Sequence, residues 1–300
     1  MPANPTIFDR RLLRARRRRA RKLGPATFLL DRAADDLAER LSAVLRTFDR
    51  AVDLGTPADA VRRAIAKNGK TTSLVAANAE PETLNAAFAR VAADEELLPF
   101  AEGSLDLVVS ALALQFVNDL PGTLVQIRRA LKPDGLFLAA LAGGDTLTEL
   151  RQAFAAAESE REGGISPRVA PFADTRELGA LLQRAGFALP VTDSERITVR
   201  YADAFALMAD LRRMGATNVL VERRRTPLRR ATLMRMAEIY ARNFSDADGR
   251  IRATFEIIWL SGWAPHESQQ QPLRPGSAAR RLADALGTRE IPAGEKPGEE

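Results

Sequence analysis

Between residues 28 and 48, Leu30, Leu37, Leu41, Val44, Leu45 and Phe48 fall largely on one helical face. The segment FLLDRAADDLAERLSAVLRTF therefore predicts an amphipathic helix leading into a core. RAVDL (50–54) then reads as a short strand and 58–67 as a helix. TTSLVAA (71–77) is a second strand, followed by EPETLNAAFAR as a helix opened by Pro81. A short strand is expected near Val91–Ala93. SLDLVVSALAL (104–114) is the most strand-like buried run of the chain. Residues 119–131 predict a helix, and KPDG a turn into the apolar GLFLAALAG (135–143). Five alternations of buried strand and helix with short turns predict an α/β fold, a mostly parallel sheet covered on both faces. Such sheets bind ligands beyond the carboxyl ends of their strands, where strand order reverses. Gly55 and the residues after it therefore matter by position.

After Gly144 the pattern changes. A helix over 145–160 is followed by the Gly/Pro-rich REGGISPRVAPF, then a helix (174–186), a strand (195–201) and helices near 202–214 and 227–243. ATFEIIWLSGW (253–263) alternates like a long strand. The expected organisation is a basic arm (1–27), an α/β half (28–144), a second half with a helical insertion and closing strands (145–286), and a charged, disordered tail (287–300).

Composition narrows the chemistry. There is no cysteine and a single histidine, His266, so thiol chemistry and a histidine-rich metal site within one chain are excluded, and no metal is expected. Of the net charge of +5, nine cations lie in RRLLRARRRRARK (10–22); without them the chain is mildly acidic. The plain reading of that arm is a solvated helix start, with peripheral contact to an anionic surface as the alternative. Interleaved aromatics and a second basic cluster are absent, so specific nucleic-acid binding is not expected. No apolar run is long enough to span a bilayer, and the expected location is the cytoplasm of a bacterium, or the mitochondrial matrix of a eukaryote.

In order along the chain stand VDLG, ADEELLPF (93–100), LDLVVSALALQFVNDLP (105–121) and LKPDGLFLAA (131–140). This set resembles class I S-adenosylmethionine-dependent methyltransferases, and implies their Rossmann-like, mostly parallel seven-stranded sheet. The resemblance also implies a glycine turn under the methionine part of the cofactor, an acid after the second strand for the ribose hydroxyls, and an acid such as Asp94 for the adenine amino group. FDRRLLRARRRRA, GGDTLTELRQAFAAAESEREGGISPRVAPF, LGALLQRAGF, LMADLRRMGATN and HESQQQPLRPGSA sharpen it. Together they are similar to the complex I assembly-factor family of methyltransferase-like proteins of mitochondria and related bacteria. The likeness runs to about residue 278. It implies a partner that is a subunit of NADH:ubiquinone oxidoreductase and a chemistry of arginine hydroxylation or methyl transfer.

The chain departs from that pattern on the cofactor side. Pro57 and Asp59 replace the second and third glycines, and Ala77 stands where the ribose acid is expected, with Asn78 and Glu80 following. Gln115-Phe116 replaces a His-Trp pair. Each lost hydrogen bond costs on the order of 1–3 kcal/mol, so two or three losses predict S-adenosylmethionine binding weakened by at least about two orders of magnitude. The implied cofactor contacts are Asp53, Gly55, Thr56, Asn78, Asp94, Glu95 and Ser110. Asp145, Arg151 and His266 are the candidates for catalysis, Asp145, Glu149 and Arg151 being spaced to share a helix face. Two other readings stand: an assembly chaperone without catalysis, and a small-molecule or carboxylate O-methyltransferase.

Overall fold

The computed structural model describes residues 6–81, 87–270 and 282–289. Seven strands form one sheet in the order β3-β2-β1-β4-β5-β7-β6. They are β1 (Phe48–Leu54), β2 (Thr71–Asn78), β3 (Ala89–Ala92), β4 (Leu105–Ala111), β5 (Leu131–Ala142), β6 (Ala188–Tyr201) and β7 (Ile251–Trp263). The first five run parallel; β7 pairs antiparallel to β5, and β6 to β7. Strand order reverses between β1 and β4, which puts the expected ligand edge beyond Leu54 and Ala111.

Alternation within the strands divides the core. Val52, Leu54, Val108 and Phe137 face α4 (Leu120–Ala130) and α6 (Thr175–Arg184), while Phe48, Ala51, Leu107 and Leu136 face α2 (Phe28–Ser42) and α3 (Ala60–Asn68). A third cluster joins α5 (Thr148–Glu162), α7 (Ala204–Arg213) and α8 (Arg230–Phe244) to the ends of β6 and β7. There Tyr240 is fully buried and its hydroxyl donates to the Arg252 carbonyl at 2.8 Å. The chain separates at Pro265 into two units. The described part of the second holds a turn at His266 and the short α9 (Leu282–Leu286). No described helix is long and apolar enough to cross a membrane.

Several expectations are corrected. The helix from 28 ends at Ser42: Leu45 is fully exposed, and Phe48 is buried as a strand residue whose N–H donates to the Lys70 carbonyl at 2.8 Å. β5 starts at Leu131, taking the KPDG turn into the strand, where Asp134 adopts φ +61°. β6 is twice the expected length because it pairs with β7 along nearly its whole run. Of the helix expected after Pro81, residues 82–86 lie outside the described residues, and Ala89 and Arg90 already belong to β3. The expected disordered tail lies outside them from residue 290 onward. Residues 10–22 are not a solvated arm. They form α1 (Arg10–Lys22), whose amino end is capped by Asp9 accepting from the Leu12 N–H at 3.0 Å, and α1 packs on α7.

At the switch point the chain buries an ion pair. Asp53 at the end of β1 accepts from Arg62 of α3 and from the Thr56 hydroxyl, with both charged side chains almost wholly buried. Thr56 accepts in turn from the Ala111 N–H at 3.1 Å, and Ser110 donates to the Leu54 carbonyl at 2.7 Å. Burial pushes the Asp53 carboxyl up, against the pull of Arg62 and Thr56. Arg62→Met should leave that carboxylate uncompensated and cost about 3–5 kcal/mol in urea unfolding, with Asp53→Asn added to it recovering most of the loss. A single-variant loss below about 1 kcal/mol would contradict a structural role for the pair.

Candidate functional site

Beyond Leu54 the chain turns at Gly55, whose φ of +72° and N–H bond to the Ala77 carbonyl at 2.8 Å close the turn. A Cβ here would stand 2.6 Å from Glu95 Oε1, so only glycine lets that carboxylate lie across the turn. The second departure, Pro57, lines the cleft above the turn. Asp59 does not: it stands at the start of α3 and pairs with Arg63 at 3.4 Å.

Ala76 and Ala77 are buried within β2, paired with Asp53 and Leu54. The strand runs on to Asn78, one residue past its expected end, and the acid just beyond it is Glu80. Asn78 lines the same cleft, and its Oδ1 accepts from the Glu80 N–H at 3.1 Å. Beyond β3 come Asp94, Glu95 and Glu96.

α1 lies across these acids. The Arg10 guanidinium pairs with Asp94 at 2.6 Å, with Glu96 at 3.2 Å and with Glu95. Arg14 takes the other oxygen of Asp94 at 2.5 Å, and Arg18 and Arg21 hold Glu80 at 2.9 and 3.1 Å. Burial depresses the Arg10 guanidinium, but Glu95, Asp94 and Glu96 outweigh it and hold its pKa above the ordinary value. Arg17 sits 6.0 Å over the Phe116 ring, and burial pushes its pKa down, with Glu95 pulling the other way. The segment ahead of the helix is strapped as well: Asn118 Oδ1 accepts from the N–H groups of Ile7 and Phe8 at 2.8 and 2.7 Å, and Phe8 bridges to Leu220. Between α1 and the sheet edge remains a cleft of about 20 Å³, room for roughly one water. Beside it, sharing Arg17, Arg21, Pro57 and Phe116, opens a mostly apolar cavity of about 140 Å³ that reaches Ala142 at the end of β5 and Glu256 on β7.

The predicted cofactor residues thus divide. Gly55, Asn78, Asp94 and Glu95 meet at the cleft or its rim. Asp53, Thr56 and Ser110 commit their side chains to one another and to the backbone, and shape the turn from within. The candidates for catalysis do not converge. Asp145 precedes α5 rather than sharing a face of it, and pairs with Arg196. Arg151 donates to the Gly144 carbonyl at 3.1 Å, and Glu149 accepts from the Thr254 N–H at 3.0 Å. His266 lies in the second unit, exposed, with its Nδ1 2.7 Å from the Ser268 hydroxyl. Arg17 and Glu256, which line these cavities, were not among the residues singled out in the sequence, and Glu80 was noted there only as following the expected ribose acid. The signal available was an acid-free run of nine cations in a chain that also carries Asp94-Glu95-Glu96.

Residues 52–139 match the model of the methyltransferase domain. Over 285 residues the chain is 41% identical to the arginine-hydroxylase NDUFAF5 of Homo sapiens, a mitochondrial protein, covering 92% of this chain and 82% of the relative. It is 41% identical over 188 residues to the malonyl-[acyl-carrier protein] O-methyltransferase of Laribacter hongkongensis, covering 63% of this chain and 61% of that one. The crystal structure of a candidate methyltransferase of Bacillus halodurans, 16% identical, superposes with a TM-score of 0.52, covering 77% of this chain and 99% of that one, a likeness of fold. With the seven-stranded topology and 41% identity to the human protein over 92% of the chain in agreement, the chain belongs to the complex I assembly-factor family of methyltransferase-like proteins.

Proposed function

We propose that the chain modifies an arginine side chain of a complex I subunit during assembly, with S-adenosylmethionine taken up at the carboxyl edge of the sheet under α1. Supporting this reading, Gly55 has no side chain beneath the Glu95 carboxylate, Glu80 beyond β2 would take the ribose hydroxyls, and Asp94 beyond β3 the adenine amino group. Arg17 supplies a cation for the methionine carboxylate. Bound there, the cofactor would supply an electrophilic carbon beside a charged sulfur. The protein's share is to align the client side chain and exclude water.

The observation that carries this reading is also its constraint. Every acid the cofactor would use is already paired to an arginine of α1, and the cleft beneath holds about one water. Cofactor entry therefore requires α1 to loosen, and the ion pairs of Arg10 and Arg14 oppose it. A second reading, an escort that holds its client without chemistry, is favoured by the same closure and by Pro57 in the turn.

Calorimetric titration with S-adenosylmethionine separates the two. Arg10→Ala/Arg14→Ala should bind about five- to thirtyfold more tightly than the unaltered chain, as release of a partly exposed clamp worth about 1–2 kcal/mol implies. Equal or weaker binding by the variant would contradict the gate, and no binding by either protein at millimolar cofactor would favour the escort.

The clamp also has a pH signature. Burial raises the Asp94 pKa, but the Glu96 N–H, Arg10 and Arg14 outweigh it and hold the carboxyl below its ordinary value near 3.8. Its contribution to docking α1 is therefore present above that value and lost as pH falls through the lowered one. The chain has no cysteine, so a fluorophore on Ala15→Cys, at an exposed position of α1, reports the helix alone. Its anisotropy should fall on acidification below about pH 4, and Asp94→Asn should show part of that fall at neutral pH. Unchanged anisotropy in Asp94→Asn would contradict the clamp.

A further inference from the structure

The larger cavity contains a buried carboxylate, Glu256, that makes no ion pair among the described residues, its cross-strand partner Arg196 pairing with Asp145 instead. Glu256 lies on β7 beside the end of β5, where its neighbour Ile257 pairs with Ala142, and only 9% of its surface is exposed. Its Oε2 accepts from the Asp145 N–H at 2.9 Å, and the strand end is cut to receive it. A Cβ on Gly143 would fall 2.4 Å from that oxygen, so any other residue would push the carboxylate out. Among the described residues no lysine or arginine pairs with Glu256. A second acceptor lines the same cavity: Gln115 Oε1 is buried and has no hydrogen-bond partner among the described residues.

The arginines that border the cavity are engaged elsewhere. Arg21 is held by Glu80, Arg213 donates to the Gly24 carbonyl and pairs with Asp210, and Arg17 lies over Phe116. The walls nearest the sheet edge are apolar, and two of them are strained. Leu112 at φ +50° and Leu147 at φ +57° occupy the left-handed region, at a cost of about 1–3 kcal/mol each. A buried acceptor without a donor costs about 1–3 kcal/mol more, and a buried carboxylate without a cation costs further still. The Asp145 N–H satisfies only part of the Glu256 carboxylate, and the Gln115 oxygen is left without a donor among the described residues. A ligand that brings a positive charge, several N–H donors and an apolar stem would answer both acceptors and pack on the apolar walls.

We propose that Glu256 and Gln115 receive the guanidinium of the client's arginine, with its methylene stem lying between Leu112, Leu147 and Phe255. This rests on the arginine half of the function proposed above. The planar guanidinium presents five donors in a fixed fork and can reach a carboxylate and an amide oxygen together, whereas an ammonium is a compact point charge. Its methylenes pack on the leucines while the head stays on the acceptors. The cavity is thus bipolar, with Arg17 toward the cofactor side and Glu256 toward the client side. Glu256 is a binding residue that fixes which cation enters.

The full-length protein can be titrated by NMR with n-butylguanidinium and with n-butylammonium as probes. The guanidinium should bind more tightly than the ammonium, and Glu256→Gln should weaken it about tenfold, the loss of a charge-assisted pair in a partly open site. The substituted amide still accepts from the Asp145 N–H, so the melting temperature should be kept. Gln115→Leu should weaken the probe too, by a smaller factor. No binding of the guanidinium by the unaltered chain, or equal binding by Glu256→Gln, would overturn the assignment. Titrating the same variants with S-adenosylmethionine keeps the two proposals apart. Guanidinium binding without cofactor binding would support the cation site while removing the cofactor reading. A Glu256→Gln variant that loses cofactor affinity but keeps guanidinium affinity would put the carboxylate on the cofactor's ammonium, and would overturn the inference.

Discussion

One guanidinium, that of Arg10, ties the amino-terminal helix to the carboxyl edge of the sheet, and the state of the site follows from that tie. It reaches Asp94, Glu95 and Glu96 from a single side chain, and Glu95 in turn lies flat on the bare backbone of Gly55. The glycine turn, the acids beyond β3 and the basic helix therefore form one electrostatic unit. Because these charges are only partly exposed, the attraction is screened far less than at an open surface. The same contacts that organise the edge also fill it.

Below this unit the fold is conventional and rigid. The pair between Asp53 and Arg62, with Thr56 and Ser110 bonded into the strands around it, fixes where β1 ends and how α3 begins. Hydrogen-bonding capacity that a cofactor could have used is spent on the protein itself. At this edge the acids are paired to α1 and Glu95 covers Gly55, while Arg17, which makes no ion pair among the described residues, lies over Phe116, and the acceptors Glu256 and Gln115 line the larger cavity. The charges of this edge thus come from its outermost layer, α1 and β7 among them.

Much of this fold was legible in the sequence, and the misses have physical causes. Runs such as LDLVVSALAL and GLFLAALAG are buried on both faces, and such strands declare themselves by continuous hydrophobicity. Boundaries were less visible: an apolar residue such as Phe48 satisfies a helical face and a strand face equally well, and only its pairing beside β2 decides. β2 runs one residue past its expected end, to Asn78, so Glu80, noted in the sequence beside the expected acid, lies just beyond the strand. The basic run was misread for a different reason. Charge pattern alone does not say that residues 10–21 meet carboxylates some 60 to 85 positions later, because that proximity is made by the sheet. Glu256 was invisible in the same way, one of several polar positions of β7 until β5 stops beside it.

The central claim is that α1, clamped by its arginines, closes the adenosyl cleft and must loosen for a cofactor to enter. Hydrogen exchange of the backbone amides of residues 10–22, measured with and without saturating S-adenosylmethionine, tests it most directly. The account predicts that these amides exchange faster in the saturated protein, while those of β1 and β4 keep their protection. Exchange in α1 that is unchanged or slower at saturation would contradict it, since the cofactor would then be lodging beneath a helix that never had to move.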